Sequence, residues 1–161
     1  MPATPVSQTV TLETRRGRIA HHIYVASRGG VTCIVDFADV PKWFSGTENA
    51  NKFFDEARDQ FLRDSQGKLV SEKSISLDGY SGREVKLYTQ RGHAAARFYL
   101  AVDRFYQLGI ITIDHSEQAT GEIDKFFSSF KIVTKSGPVT EQVRLRIGEF
   151  SKGDGRKTRA P

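Results

Sequence analysis

Residues 94–113 read AAARFYLAVDRFYQLGIITI, and this stretch decides the fold. Two apolar runs, 94–102 and 105–113, flank the polar pair Asp103-Arg104, the pattern of two strands joined by a tight turn. Both faces of the first run are largely apolar: Phe98, Leu100 and Val102 alternate on one, Tyr99 and Ala101 on the other. A strand with water on one side would carry polar residues there, so this pair belongs in the middle of a sheet covered on both sides.

Period-2 patterning continues on the N-terminal side. Leu69, Ile75 and Leu77 share one face of a strand, Asp78-Gly79 turns the chain, and Val85 and Leu87 mark the next strand before Arg91-Gly92 turns again. At the start of the chain, Val10 and Leu12 alternate with Thr9, Thr11 and Glu13. Ile19, Ile23 and Val25 then share a face, and Val31, Cys33, Val35 and Phe37 form a third run, with turns at Arg16-Gly17 and Arg28-Gly29-Gly30.

Two segments have helical spacing instead. Ala50, Phe53, Phe54, Ala57 and Phe61 predict an amphipathic helix over about 47–65, opened by the capping box Ser45-Gly46-Thr47-Glu48 and closed by Gly67. Ile123, Phe126, Phe127 and Phe130 predict a second, with Thr120 as N-cap and Glu122 and Asp124 in its first turn. Residues 131–133 suit a short strand. Residues 139–150 suit a strand (Val143, Leu145, Ile147) or a helix (Val139, Val143, Ile147, Phe150). The expected fold class is α+β: a largely antiparallel, twisted sheet of about seven strands with helices packed on it. The expected organisation is a globular domain over 1–135, an extension over 136–150 and a disordered basic tail over 151–161.

Four stretches in order carry a family resemblance. Residues 9–40 hold two hairpins that run into Asp39-Val40-Pro41. Residues 78–84 read Asp-Gly-Tyr-Ser-Gly-Arg-Glu, 97–108 read Arg-Phe-Tyr-Leu-Ala-Val-Asp-Arg-Phe-Tyr-Gln-Leu, and 126–131 read Phe-Phe-Ser-Ser-Phe-Lys. Over about residues 6–133 the chain resembles the PsbP-like superfamily, the α/β/α sandwich shared by the photosystem II extrinsic protein, Ran-binding nuclear import factors and many small bacterial proteins. The resemblance implies that sandwich and a mostly non-enzymatic role in accessory, assembly or protein-binding work. The divalent-ion sites of photosynthetic members have no matching ligand positions here.

Length and charge set further bounds. A chain of 161 residues suits one domain. The single cysteine, Cys33, excludes an intrachain disulfide framework and a Cys-based zinc cluster. No apolar run reaches the ~18 residues of a membrane span. The start, MPATPVSQTV, lacks the pattern of a signal peptide, so cytoplasmic placement is the default expectation. Residues 1–130 hold 16 Lys/Arg and 16 Asp/Glu, whereas residues 131–161 hold eight and three, so the whole net charge of +5 sits in the last segment.

No motif points to catalysis. His21 and His22 are neighbours on a strand and face opposite ways, while His93 and His115 are isolated in sequence. Gly79-Tyr80-Ser81-Gly82 is one residue short of a nucleophile elbow and lies between strands. Cys33 lies in an apolar run and reads as a buried hydrophobe. Residues 91–98 match an RNA-recognition pattern at the first, second, fourth and eighth positions, but at the third and fifth His93 and Ala95 replace the stacking rings. Arg97-Phe98-Tyr99 and Arg104-Phe105-Tyr106 interleave cations and rings, as a stacking platform or as sheet core.

The leading expectation is a non-catalytic binding or assembly module that acts through protein contact, without cofactor or metal. Lys42, Trp43 and Phe44, after Pro41, are the candidate partner contact. An alternative is nucleic-acid or anionic-surface binding through Arg144, Arg146, Lys152, Arg156, Lys157 and Arg159. A third is a small-ligand enzyme of unknown class.

Overall fold

The computed structural model describes residues 4–14, 17–41 and 47–132. The elements in chain order are β1 (Val6–Thr14), β2 (Gly17–Arg28), β3 (Val31–Asp39), α1 (Thr47–Ser65), β4 (Lys68–Leu77), β5 (Tyr80–Tyr88), β6 (His93–Ala101), β7 (Arg104–Thr112) and α2 (Glu117–Ser129). The strands form one sheet in the order β1-β2-β3-β7-β6-β5-β4, antiparallel at every junction. It consists of two meanders, β1–β3 and β4–β7, joined through α1 and zipped together where β7 pairs with β3.

Each helix takes one face. On one side, Phe54 and Phe61 of α1 pack with Val85, Leu87, Ala94, Ala96, Phe98 and Phe105. On the other, Ile123, Phe126 and Phe127 of α2 pack with Ala95, Tyr99, Tyr106, Leu108 and Ile110. Strand β6, beside the central β7, is therefore buried on both faces, which is why Ala94, Ala95 and Ala96 all lie out of water.

The expected α+β class, with helices layered on the sheet as an α/β/α sandwich, is overturned. Strands make up more than half of the described residues, and only two helices lie among those residues. A helix is ~10 Å wide and covers about two strands spaced ~4.8 Å apart, so one helix per face cannot form a layer over seven strands. The chain is a mostly-β protein whose outer strands lie beyond the helices.

Local corrections follow from backbone geometry. The β6–β7 turn is Val102-Asp103, one residue before the polar pair that marks it in sequence, and exposed Val102 takes φ +57°. Two-residue hairpins need a positive φ at their first loop position, here imposed on a β-branched residue. In β4 the register steps between Leu69 and Ser71, so Leu69 opposes Leu87 on the α1 side while Ile75 and Leu77 pack against the α2-side core. An extra residue at Val70 splits a set that unbroken alternation puts on one face.

Helix α2 is capped by Ser116, whose Oγ accepts from the Ala119 amide at 3.3 Å, and not by Thr120. Asp114 supports this cap: its carboxylate accepts from the Ser116 hydroxyl and amide, both at 2.8 Å, and those bonds hold its pKa below the ordinary value. Lys131 and Ile132 form no strand.

Helix α1 ends on Gln66, not Gly67. Gln66 takes φ +50°, with its amide bonded to Arg63 O and the Gly67 amide to Leu62 O, both at 3.3 Å. That bonding places Gln66 where glycine is usual. Gln66→Gly is expected to stabilise the fold by about 0.5–1 kcal/mol, read as a higher urea midpoint at unchanged m-value.

Candidate functional site

The residues singled out in sequence for partner contact, Lys42, Trp43 and Phe44, lie outside the described residues. So do the six cations from Arg144 to Arg159, the capping serine Ser45, and the segments 136–150 and 151–161. The described chain reaches Pro41 through Val40, whose amide donates to Asp103 O at 2.6 Å, and through the Asp39–Arg104 ion pair at 2.6 Å.

The histidines separate into three environments. On the α1 face of the sheet, His21 Nδ1 lies 2.9 Å from the Asp36 carboxylate. His22 faces the other way and stacks on Phe37, with ring centroids 4.9 Å apart. His93 and His115, far apart in sequence, meet at 5.0 Å with Tyr88 against both rings. The β6–β7 hairpin brings them together, a proximity that local patterning does not show. Two imidazoles fall short of the three or four ligands a metal site needs. Among the described residues no cluster of three or more His, Cys, Asp or Glu could hold an ion.

The remaining motifs have structural explanations. Gly79 follows Asp78 in a turn with φ of +83° and +51°, so Ser81 sits near the start of a strand and not on an elbow before a helix. Phe98, Tyr99 and Phe105 are buried, leaving no open platform for base stacking. Burial, followed by the charge of Glu122, pushes the Cys33 thiol to about 12, which keeps it protonated and unreactive at neutral pH.

Polar side chains on both sheet faces are spent on each other. Arg83 bonds Asp55 and Glu72, and Arg58 bonds Asp55, Asp59 and Glu72, which ties α1 to β4 and β5. On the opposite face Lys73, Glu84 and Arg97 stand in one row across β4, β5 and β6.

The two sheet edges differ in what they present. Among the described residues no strand pairs with the outer side of β1 or of β4, so each exposes a row of backbone donors and acceptors. Strand β4 carries Lys68, Glu72 and Lys73 and is broken by the step at Val70. Charges and bulges are what blunt an edge against further pairing. Strand β1, VSQTVTLET, has no bulge and a single charge, against three in β4. Its register with β2 is unbroken from Val6↔Val25 to Thr14↔Gly17, and its single charged residue, Glu13, is engaged by Arg18 at 3.0 Å. Val6 is 71% exposed and Leu12 48%. Nothing in the local pattern of β1 shows that it is an edge, because that depends on strand order.

No helix among the described residues is long and apolar enough to cross a membrane. A scan of the chain against protein-family models finds no match, and a search of curated proteins finds none.

Proposed function

We propose that the chain is a non-catalytic binding or assembly module that works through protein contact. The observation that carries this reading is the unbroken β1 edge, opposite a β4 edge that is broken and more highly charged. An exposed edge binds an extended segment through main-chain hydrogen bonds, and alternate side chains choose the partner. The motif order that resembles the PsbP-like superfamily agrees with it, because members of that family are mostly non-enzymatic.

A photoreactive side chain placed at Thr9 of β1 is expected to cross-link protein in an extract of the source cells, and one at Ser74 of β4 to cross-link far less. Equal labelling at both edges would remove the support for the edge. A hydrolase activity abolished by a single point mutation would overturn the non-catalytic reading.

A further inference from the structure

The occupant of the β1 edge follows from its chemistry and from the state of the opposite edge. Suppose β1 of one molecule paired with β4 of another. Each molecule would then have one donor edge and one acceptor edge, and the pairing would run on into an open filament. Strand β4 prevents this: its outer register is interrupted at Val70, and Lys68, Glu72 and Lys73 lie along it. Pairing of β1 with itself closes after two copies, since it uses one edge of each and leaves the blunted edges outside.

The sequence of β1 is self-complementary in that arrangement. An antiparallel pair that overlaps all nine residues has its two-fold axis at Val10, the middle of Val6–Thr14. Val10 then opposes Val10 of the second copy, and Gln8 opposes Leu12. These residues share the face that carries His21, since Val10 pairs with His21 in β2. On the other face Thr9 opposes Thr11, and Ser7 opposes Glu13. The Thr9–Thr11 and Val10–Val10 pairs directly opposite each other favour strand pairing, and no like charges meet. Partly exposed Val6 and Leu12 gain cover from the neighbouring copy.

We infer that β1 is a homodimerisation edge, joining two copies through an antiparallel β1–β1 ladder into one continuous sheet of 14 strands. This rests on the protein-contact reading above and names the partner as a second copy of this chain.

Site-specific disulfides test the register in the full chain, with Cys33→Ser as background. Directly opposed positions lie within disulfide reach, whereas Gln8 of one copy is about 13 Å from Gln8 of the other at ~3.4 Å per residue. Val10→Cys is therefore expected to give a covalent dimer under mild oxidation. Gln8→Cys alone should not, but mixed with Leu12→Cys it should. By sedimentation, Val10→Lys is expected to raise the dimer dissociation constant about tenfold or more, since it opposes two ammonium groups at the axis.

A chain that is monomeric at ~100 µM, where an edge dimer of micromolar affinity would be mostly associated, overturns the inference. So does a dimer that survives Val10→Lys, or cross-linking that is equal at positions 8 and 10. A monomeric chain whose Thr9 still cross-links a different protein sinks self-pairing and leaves the protein-contact reading standing. A monomer that cross-links nothing at Thr9 sinks both.

Discussion

Gly92→Ala is expected to destabilise the fold by about 3 kcal/mol and to lower Tm by about 6–12 °C. Gly92 lies buried between β5 and β6, pressed against the end of β7. A Cβ added there would overlap the Thr112 carbonyl oxygen and lie 2.6 Å from the Asp114 amide nitrogen. Both obstacles are backbone, so no side-chain rotation relieves them. The surrounding bonds also resist a shift. The Thr89 amide donates to Gly92 O at 2.9 Å, the Gly92 amide donates to Thr89 Oγ1 at 3.0 Å, and the His93 amide donates to Thr112 Oγ1 at 3.0 Å. Thr89 and Thr112 are both buried, so bonds broken by a displacement would not be remade to water. Gly121→Ala is the matched control. It lies in α2, with nothing within 4 Å of an added Cβ, and should gain up to ~1 kcal/mol of helix propensity. Urea titration of both variants reads the two signs, and a Gly92→Ala protein as stable as the parent would show that the β7 end yields.

Gly92 also shows where the legibility of the chain stops. In sequence it is half of an Arg-Gly turn, and the turn is there. The approach of Thr112 is not visible, because it depends on how the two ends of the β6–β7 hairpin close. Elements set by short-range periodicity are legible: α1 spans Thr47–Ser65, as the spacing of Ala50, Phe53, Phe54, Ala57 and Phe61 predicts. The bulge at Val70 is not, since alternation says nothing about where a partner strand slips. The turn at Val102 is hidden because a β-branched residue is a poor marker of a left-handed position. The fold class is illegible for a related reason. Two strong amphipathic patterns announce helices that pack on a sheet, but they do not tell how many strands those helices leave uncovered.

The candidate site was legible to a smaller degree. The opposite facing of His21 and His22 follows from strand alternation, and their partners Asp36 and Phe37 lie on the two faces accordingly. The contact between His93 and His115 comes from tertiary closure and has no local signal. The β1 edge has a partial one: a single charge, Glu13, where β4 has Lys68, Glu72 and Lys73. That contrast acquires meaning only once strand order shows both to be outermost. Strand β1 then becomes a surface for association, and the charges of β4 become a reason for that association to stop at two.

Arg97→Met is expected to cost about 2–4 kcal/mol at neutral pH and to reverse the pH dependence contributed by Glu84. Glu84 is 2% exposed, and its carboxylate is held by Arg97 Nε at 2.6 Å and Lys73 Nζ at 3.1 Å. Arg97 also lies over the Phe127 ring at 4.6 Å, so it joins the β5–β6 pair to α2. Burial pushes the Glu84 pKa up, but the hydrogen bonds and charges of Arg97 and Lys73 outweigh it and hold the group below its ordinary 4.5. A carboxylate with a depressed folded pKa contributes stability that is present above the unfolded pKa and is lost as pH falls through the folded one. Methionine keeps an apolar stem against Phe127 but removes the stronger counter-charge. Lys73, 62% exposed at its side chain, is too well solvated to replace it. Burial then dominates and raises the Glu84 pKa, so the variant loses stability as pH rises from about 4.5 towards neutrality. The difference between parent and variant should therefore be largest near pH 7 and shrink as pH falls, vanishing only below the parent's depressed folded pKa, where Glu84 is protonated in both. The double variant Glu84→Met with Arg97→Met should recover most of the loss, because a buried pair replaced by apolar groups leaves no orphaned charge. Urea midpoints at pH 3.5, 5 and 7 measure all three proteins. A penalty for Arg97→Met that is equal at pH 3.5 and pH 7 would assign the role of Arg97 to packing against Phe127 instead of to neutralising Glu84.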